Sequence, residues 1–169
     1  MIDLPACLSR IYLFRHAAAS WPAPGEKDFD RALNDSGFAE AELVTNRAAD
    51  RNYRPLTVIS STARRCRETT EAVRRNLQPD ETAFRFVDQL YGSPINAYLE
   101  ILAGSDTESI MLVGHNPAIE ELFLLLAGPD ALADTIPQGY PTAGFAVLDC
   151  LAASQDGGPK CRVVDFLQP

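Results

Sequence analysis

The chain holds two histidines, and each directly follows a short apolar run. Arg10-Ile11-Tyr12-Leu13-Phe14 leads into Arg15-His16, and Ile110-Met111-Leu112-Val113-Gly114 leads into His115. In an open α/β domain the carboxyl ends of buried strands border the ligand crevice, so an imidazole just past such a strand stands where chemistry is usually done. Arg15 adds a guanidinium at the first of these ends. Arg64, Arg65 and Arg67 fall in the first turn of a predicted helix, where the macrodipole favours Asp and Glu. A helix amino terminus already offers free N–H groups to an anion, and guanidinium groups there build a site for a doubly charged phosphoryl group. Adjacent helical positions point in different directions, so the three cannot all face one pocket. His16, His115, Arg15 and an arginine of this turn together have phosphate as their sensible common ligand.

Several predicted elements must position these groups. Ile11 to Phe14 reads as a first buried strand, followed by a polar loop through Trp21-Pro22-Ala23-Pro24-Gly25 to Leu33. Asp35 or Ser36 caps a helix running to about Arg51, with Phe38, Ala41 or Glu42, and Val44 or Thr45 on the face toward a sheet. Leu56 to Ile59 is a second strand, Ser60 to Thr62 a turn and cap, and Ala63 to about Leu77 a second helix. Phe84 to Val87 alternates like an edge strand, Ile95 to Leu102 reads as a helix, and Ile110 to Val113 as another buried strand. Asn116-Pro117 reads as a cap with proline at the first helical position of Ala118 to Ala127, which Gly128-Pro129 ends. Ala143 to Leu151 and Arg162 to Leu167 form a closing antiparallel hairpin. The expected architecture is a three-layer α/β sandwich, with a mixed, mostly parallel sheet flanked by helices, in one domain spanning 1–169.

Composition narrows the function classes. Of 169 residues 46% are apolar and 22% charged, as in a compact enzyme-like domain. A net charge of -8 argues against nucleic acid, whose binding needs clustered Lys and Arg. Met1 to Arg10 lacks the character of a signal peptide and no apolar run approaches a membrane span, so a cytoplasmic protein with no membrane partner is expected. Cys7, Cys66, Cys150 and Cys161 show no paired zinc-type spacing, and no metal or cofactor is expected. Cys150 and Cys161 could face one another across the hairpin turn of residues 154–159, either bonded or, as suits a cytosolic chain, as two reduced strand cysteines.

Leu13-Phe14-Arg15-His16-Ala17 resembles the signature of the histidine phosphatase (phosphoglycerate mutase-like) superfamily, and Gly114-His115-Asn116-Pro117 resembles its second histidine motif. Asp28 to Gly37 resembles the family's Arg-x-Leu-x-x-x-Gly segment through Arg31, Leu33 and Gly37. Ser61 to Thr69 resembles its Ser-x-x-x-Arg-x-x-x-Thr segment through Ser61, Arg65 and Thr69. The short length and absent cap insertions are similar to the small SixA-like phosphohistidine phosphatase branch. The resemblance implies that His16 is the nucleophile, forming a phosphohistidine that water hydrolyses without a metal, and that Arg15, Arg65 and His115 bind the phosphoryl oxygens. It implies as substrate a phosphohistidine of a signalling protein or a small phosphorylated metabolite. The chemistry further asks that one nitrogen of His16 be held by a backbone carbonyl of the following loop, leaving the other neutral for attack, while His115 serves best protonated.

Two positions depart from the family pattern. Ala17 stands where many members have glycine, and Asp88-Gln89 stands where the family often has a glutamate that acts as general acid. Gln89 cannot donate a proton, and Asp88 reads as an exposed strand-end carboxylate. A phosphoramidate has a leaving group far less basic than an alkoxide, which tilts the expectation toward phosphohistidine. The alternative is a phosphate- or phosphopeptide-binding module of this fold without turnover. Trp21 is expected to anchor its loop, and Arg31 to pair with a carboxylate that braces it. The residues leave the oligomeric state open.

Overall fold

The computed structural model describes residues 3–77, 82–92, 94–152 and 158–169. Its strands are β1 (Arg10–Arg15), β2 (Thr57–Ser61), β3 (Ala83–Val87), β4 (Ser109–Gly114), β5 (Phe145–Cys150) and β6 (Cys161–Leu167). Its helices are α1 (Asp35–Asp50), α2 (Arg64–Leu77), α3 (Asn96–Ala103), α4 (Ala118–Ala127) and α5 (Pro129–Thr135). The sheet order is β3-β2-β4-β1-β5-β6. The first four strands run parallel and β5 and β6 run antiparallel to their neighbours, so the sheet is mixed as the sequence predicts. Both histidine-bearing strands are central and adjacent, with Phe14 beside Val113 and Arg15 beside Gly114.

The strands read as continuous apolar runs because both faces of the sheet are covered. Ile11, Leu13, Ile110, Leu112, Ala146 and Leu148 pack against Tyr98 and Leu102 of α3 and Ile119, Leu122, Phe123 and Leu126 of α4. On the opposite face, Tyr12, Phe14, Met111, Val113, Phe145 and Val147 pack against Ala41, Val44 and Ala48 of α1 and Cys66, Val73 and Leu77 of α2. Each of these strands alternates faces with period two, so one run of sequence feeds two cores. Burying each large aliphatic or aromatic side chain stabilises the domain by about 1.5–3 kcal/mol relative to leaving it in water.

Some local readings are corrected. The cap of α1 is Asn34, whose side chain accepts from Gly37 N, rather than Asp35 or Ser36. Phe38 is exposed; the buried stripe of that helix is Gly37, Ala41, Val44, Thr45 and Ala48. The stripe starts at Gly37 because the loop after His16 lies on it: a Cβ there would sit 1.9 Å from Ala18 O. We therefore expect Gly37→Ala to destabilise the fold by about 1–3 kcal/mol through overpacking against rigid backbone, read from urea unfolding.

Asn116 does not cap α4. Pro117 holds the cap position with no side-chain bond, and the Asn116 amide turns to Glu120 Oε2 and Tyr140 O. Gly128 does end α4 at Ala127, and a separate seven-residue helix that the sequence reading missed, α5, begins at Pro129. Trp21 anchors nothing, being 90% exposed. Cys150 and Cys161 are opposed in register on β5 and β6 and are unbonded thiols, while the turn residues 153–157 lie outside the described residues. Among the described residues no helix is long and apolar enough to cross a membrane.

Candidate active site

The parallel strands deliver their carboxyl ends to one edge of the sheet. Arg15 and His16 leave β1 there, Ser61 ends β2, and Gly114 hands over to His115 at the end of β4. The start of α2 aims back at the same edge, and Arg65 projects into it. The structure thus brings His16, Arg65 and His115 into direct contact. Arg65 Nε–H donates to His16 Nε2 at 3.3 Å, and Arg65 Nη2 lies 3.3 Å from His115 Nδ1. The imidazole rings stand 5.2 Å apart, edge to face. Arg15 Nη1 donates to Tyr140 O at 2.6 Å, beside the Asn116 amide, and its buried Nε has no hydrogen-bond partner among the described residues. Of the neighbouring arginines, Arg64 pairs with Glu68 on the surface and Arg67 lies over the Phe86 ring.

The bonds settle both imidazole tautomers. His16 Nδ1 lies 2.8 Å from Ala17 O, which can only accept, so the proton is on Nδ1 and Nε2 carries a lone pair. A guanidinium only donates, so His115 Nδ1 is the acceptor and its Nε2–H faces Ser61 Oγ at 2.9 Å, with Cys66 Sγ at 3.4 Å. Burial, with the nearby positive charges, pushes the His16 imidazole down to about 3. Burial and then Arg65 push His115 down to about 4. His115 is therefore neutral near pH 7 in the free protein, its ring nitrogen facing a cation rather than an anion. Cys66 is a buried thiol pushed up to about 12, so it stays protonated beside His115.

These depressed values have a consequence for stability. An unfolded chain's histidines take up protons near pH 6.5, whereas the folded site refuses them until about pH 4 and 3. The stabilisation is fully present above about pH 6.5 and is lost as pH falls through that interval. Urea midpoints are expected to drop between pH 7 and pH 4. A His16→Asn variant, which has no titrating group at this position, should show a shallower decline.

The loops that carry the site are pinned to helices by carboxylates. Glu40 of α1 accepts from Ala18 N and Thr142 Oγ1, Glu68 of α2 from Leu33 N, and Glu120 of α4 from Tyr140 N. Ala17 N donates to Thr69 Oγ1, fixing the backbone on which the His16 ring rests. Tyr98, buried under β4, receives His115 N–H on its hydroxyl and donates that hydroxyl to Leu90 O. A Cβ on Gly114 would fall 2.1 Å from that hydroxyl, so this strand end must be glycine.

Sequence reasoning missed the residue that closes the cluster. Asp28, in a 3-10 turn over Asp28–Asp30, accepts from Arg65 Nη2 at 3.1 Å and from the Tyr91 hydroxyl at 3.0 Å, both on Oδ2. Its backbone oxygen takes Arg65 Nη1 at 2.7 Å. Arg31 does pair with a carboxylate, this same Asp28, at 3.1 Å from Oδ1. Within the sequence the one available signal was its place three residues before Arg31 in the quoted motif. Tyr91 and Phe29 cross edge to face at 4.9 Å, and the Tyr91 ring stands 5.8 Å from His115. Asp88 lies outside this network, accepting from the Thr62 hydroxyl. A cavity of about 420 Å³ lined by Leu90, Ile95, Tyr98, His115 and Pro117 opens beside the cluster.

Comparison with known proteins places this geometry in context. The profile of the histidine phosphatase superfamily (branch 1) matches residues 11–93. An uncharacterised protein of Mycobacterium tuberculosis is 32% identical over 156 residues, covering 89% of this chain and 95% of that one. A solved structure from Agrobacterium tumefaciens, assigned as the phosphohistidine phosphatase SixA, is 46% identical with a TM-score of 0.85, over 95% of this chain and 98% of that one. The protein histidine phosphatase SixA solved with tungstate superposes with a TM-score of 0.71 at 20% identity, over 94% of this chain and 96% of that one, a likeness of fold alone.

Proposed function

We propose, for a chain that belongs to the histidine phosphatase superfamily in its SixA-like branch, that it is a phosphatase working through a phosphohistidine at His16 without a metal. Its substrate is a phosphohistidine of a protein or a small phosphorylated molecule. The observation that carries this reading is the double bonding of His16. One nitrogen is locked as a donor to Ala17 O while the other presents a lone pair at the floor of an arginine-lined crevice.

In this mechanism the phosphoryl group enters between His16 and the rim. Arg65 turns from His16 Nε2 to the equatorial oxygens, and the unpartnered Arg15 Nε becomes a second donor. Three phosphoryl oxygens need neutralising donors more than they need covalent help. The incoming dianion reverses the electrostatics at His115, favouring its protonation and making it a further donor. His16 Nε2 attacks phosphorus in line, the bond to the leaving group breaks, and the positive charge left on the His16 ring is steadied by the Ala17 carbonyl. Water then attacks phosphorus, and the P–N bond electrons return to Nε2.

The test is hydrolysis of para-nitrophenyl phosphate and of a phosphohistidine-bearing protein with EDTA present, for the native protein and His16→Ala. Turnover that survives the chelator and disappears in the variant is expected. Phosphate binding without turnover on either substrate would replace this reading with a binding module.

A further inference from the structure

Asp28 is an anion seated on the cation that the proposed mechanism needs for phosphate. Three groups hold it there: Arg65 Nη2 at 3.1 Å and the Tyr91 hydroxyl at 3.0 Å by hydrogen bonds, and Arg31 Nε at 3.1 Å as an ion pair. When a phosphoryl group takes Arg65, the other two still hold the carboxylate in place. His16 is buried at 8% exposure, whereas the Asp28 side chain is 56% exposed, so His16 marks the floor and Asp28 the rim. In-line attack from the floor sends the leaving group toward the rim. The carboxylate therefore meets what departs, next to the half-buried rings of Phe29 and Tyr91.

We propose that Asp28 is a specificity-determining residue that selects phosphoramidates over phosphoesters by pairing its carboxylate with the ring N–H of a departing imidazole. The inference rests on the phosphatase reading above and names the substrate class for the same site. Imidazole departs readily from phosphoimidazole when its distal ring nitrogen carries a proton. His16 Nε2 then forms the new P–N bond while the old P–N bond breaks, its electron pair passes to the departing ring, and the ring leaves as neutral imidazole with the distal N–H in place. An ionised carboxylate on that N–H keeps the proton on the ring throughout. The Tyr91 hydroxyl and the two arginines hold Asp28 below the usual carboxylate range, against the opposing effect of desolvation, which suits an acceptor and not a proton donor. An alkoxide leaving group finds no proton there, and a phenolate meets like charge.

Asp28→Asn keeps the shape and removes the charge at a mostly exposed side chain, so the fold has little to lose. The experiment compares kcat/KM for phosphoimidazole and for para-nitrophenyl phosphate in the native protein, Asp28→Asn and Asp28→Ala. In both variants the ratio of the phosphoimidazole value to the nitrophenyl value should fall roughly tenfold or more. Equal losses on both substrates would reduce Asp28 to a prop for Arg65 and overturn the proposal. Gains on both would make it a mere occupant of the phosphate site and do the same. Native turnover that depends on His16 while the substrate ratio is unmoved by Asp28→Asn sinks this inference alone. Native turnover that is absent or indifferent to His16→Ala sinks the phosphatase reading and this one with it.

Discussion

His16→Ala should abolish turnover, lowering kcat by a factor on the order of 10⁴ or more with the fold intact. The size follows from what is lost. In the proposed mechanism no other group presents a lone pair from the floor: His115 Nδ1 is turned to Arg65, and its Nε2 carries a proton aimed at Ser61. Cys66, the nearby thiol, is buried and held protonated, so it is no substitute nucleophile. Exchanging a buried ring for a methyl group also leaves Arg65 Nε without its partner, freeing it for phosphate. The variant should therefore retain phosphate while failing to label itself. Acid-labile, base-stable phosphate on the native protein, trapped by a rapid quench and missing from His16→Ala, is the direct check. Residual turnover within tenfold of native would contradict the nucleophile assignment.

Arg65→Ala should lower kcat/KM by about 10³-fold, equivalent to roughly 4 kcal/mol of transition-state stabilisation. Arg65→Lys should recover little of it. One guanidinium here reaches His16, His115 and both the backbone and the carboxylate of Asp28, which needs a planar fork with several N–H groups. A lysine ammonium is a single point on a flexible stem and cannot span these partners. The loss should fall on kcat more than on KM, because charge on the equatorial oxygens needs the most support in the transition state. Steady-state kinetics on para-nitrophenyl phosphate separates the two parameters. Recovery of native kcat by Arg65→Lys would show that only net charge matters at this position.

The arginine also links electrostatics to sequence. Three arginines in the first turn of α2 break the ordinary dipole preference, yet only Arg65 faces inward, because α2 buries Arg65, Cys66, Thr69, Thr70 and Val73 as one stripe. Arg64 closes an i,i+4 pair with Glu68, and Glu68 in turn holds Leu33 N. The basic cluster thus divides into a group inside the crevice and a brace for the loop that bears Asp28 and Arg31.

Hydrophobic period and punctuation made much of this protein legible from its residues. Continuous apolar runs marked the central strands, a 3.6-residue rhythm marked the helices, and residue type at the strand ends marked His16, Arg15 and His115. These signals are local: each depends on residues within a few positions of one another. The chain alone also carried the motif order that pointed to a phosphate site. Tertiary structure decided what each group faces. Asp28 meets Arg65 across 37 positions, and His115 meets Ser61 across 54. Asn34 rather than Asp35 caps α1 through Gly37 N, and Gly37 passes under Ala18, a contact between that helix and the loop after His16. The neutral state of His115 was likewise invisible, since a pKa is set by the burial and charges around a group, and those neighbours arrive from other strands and helices. Sequence determines which side chains stand at the strand ends; only the folded chain determines which charge stands opposite each of them.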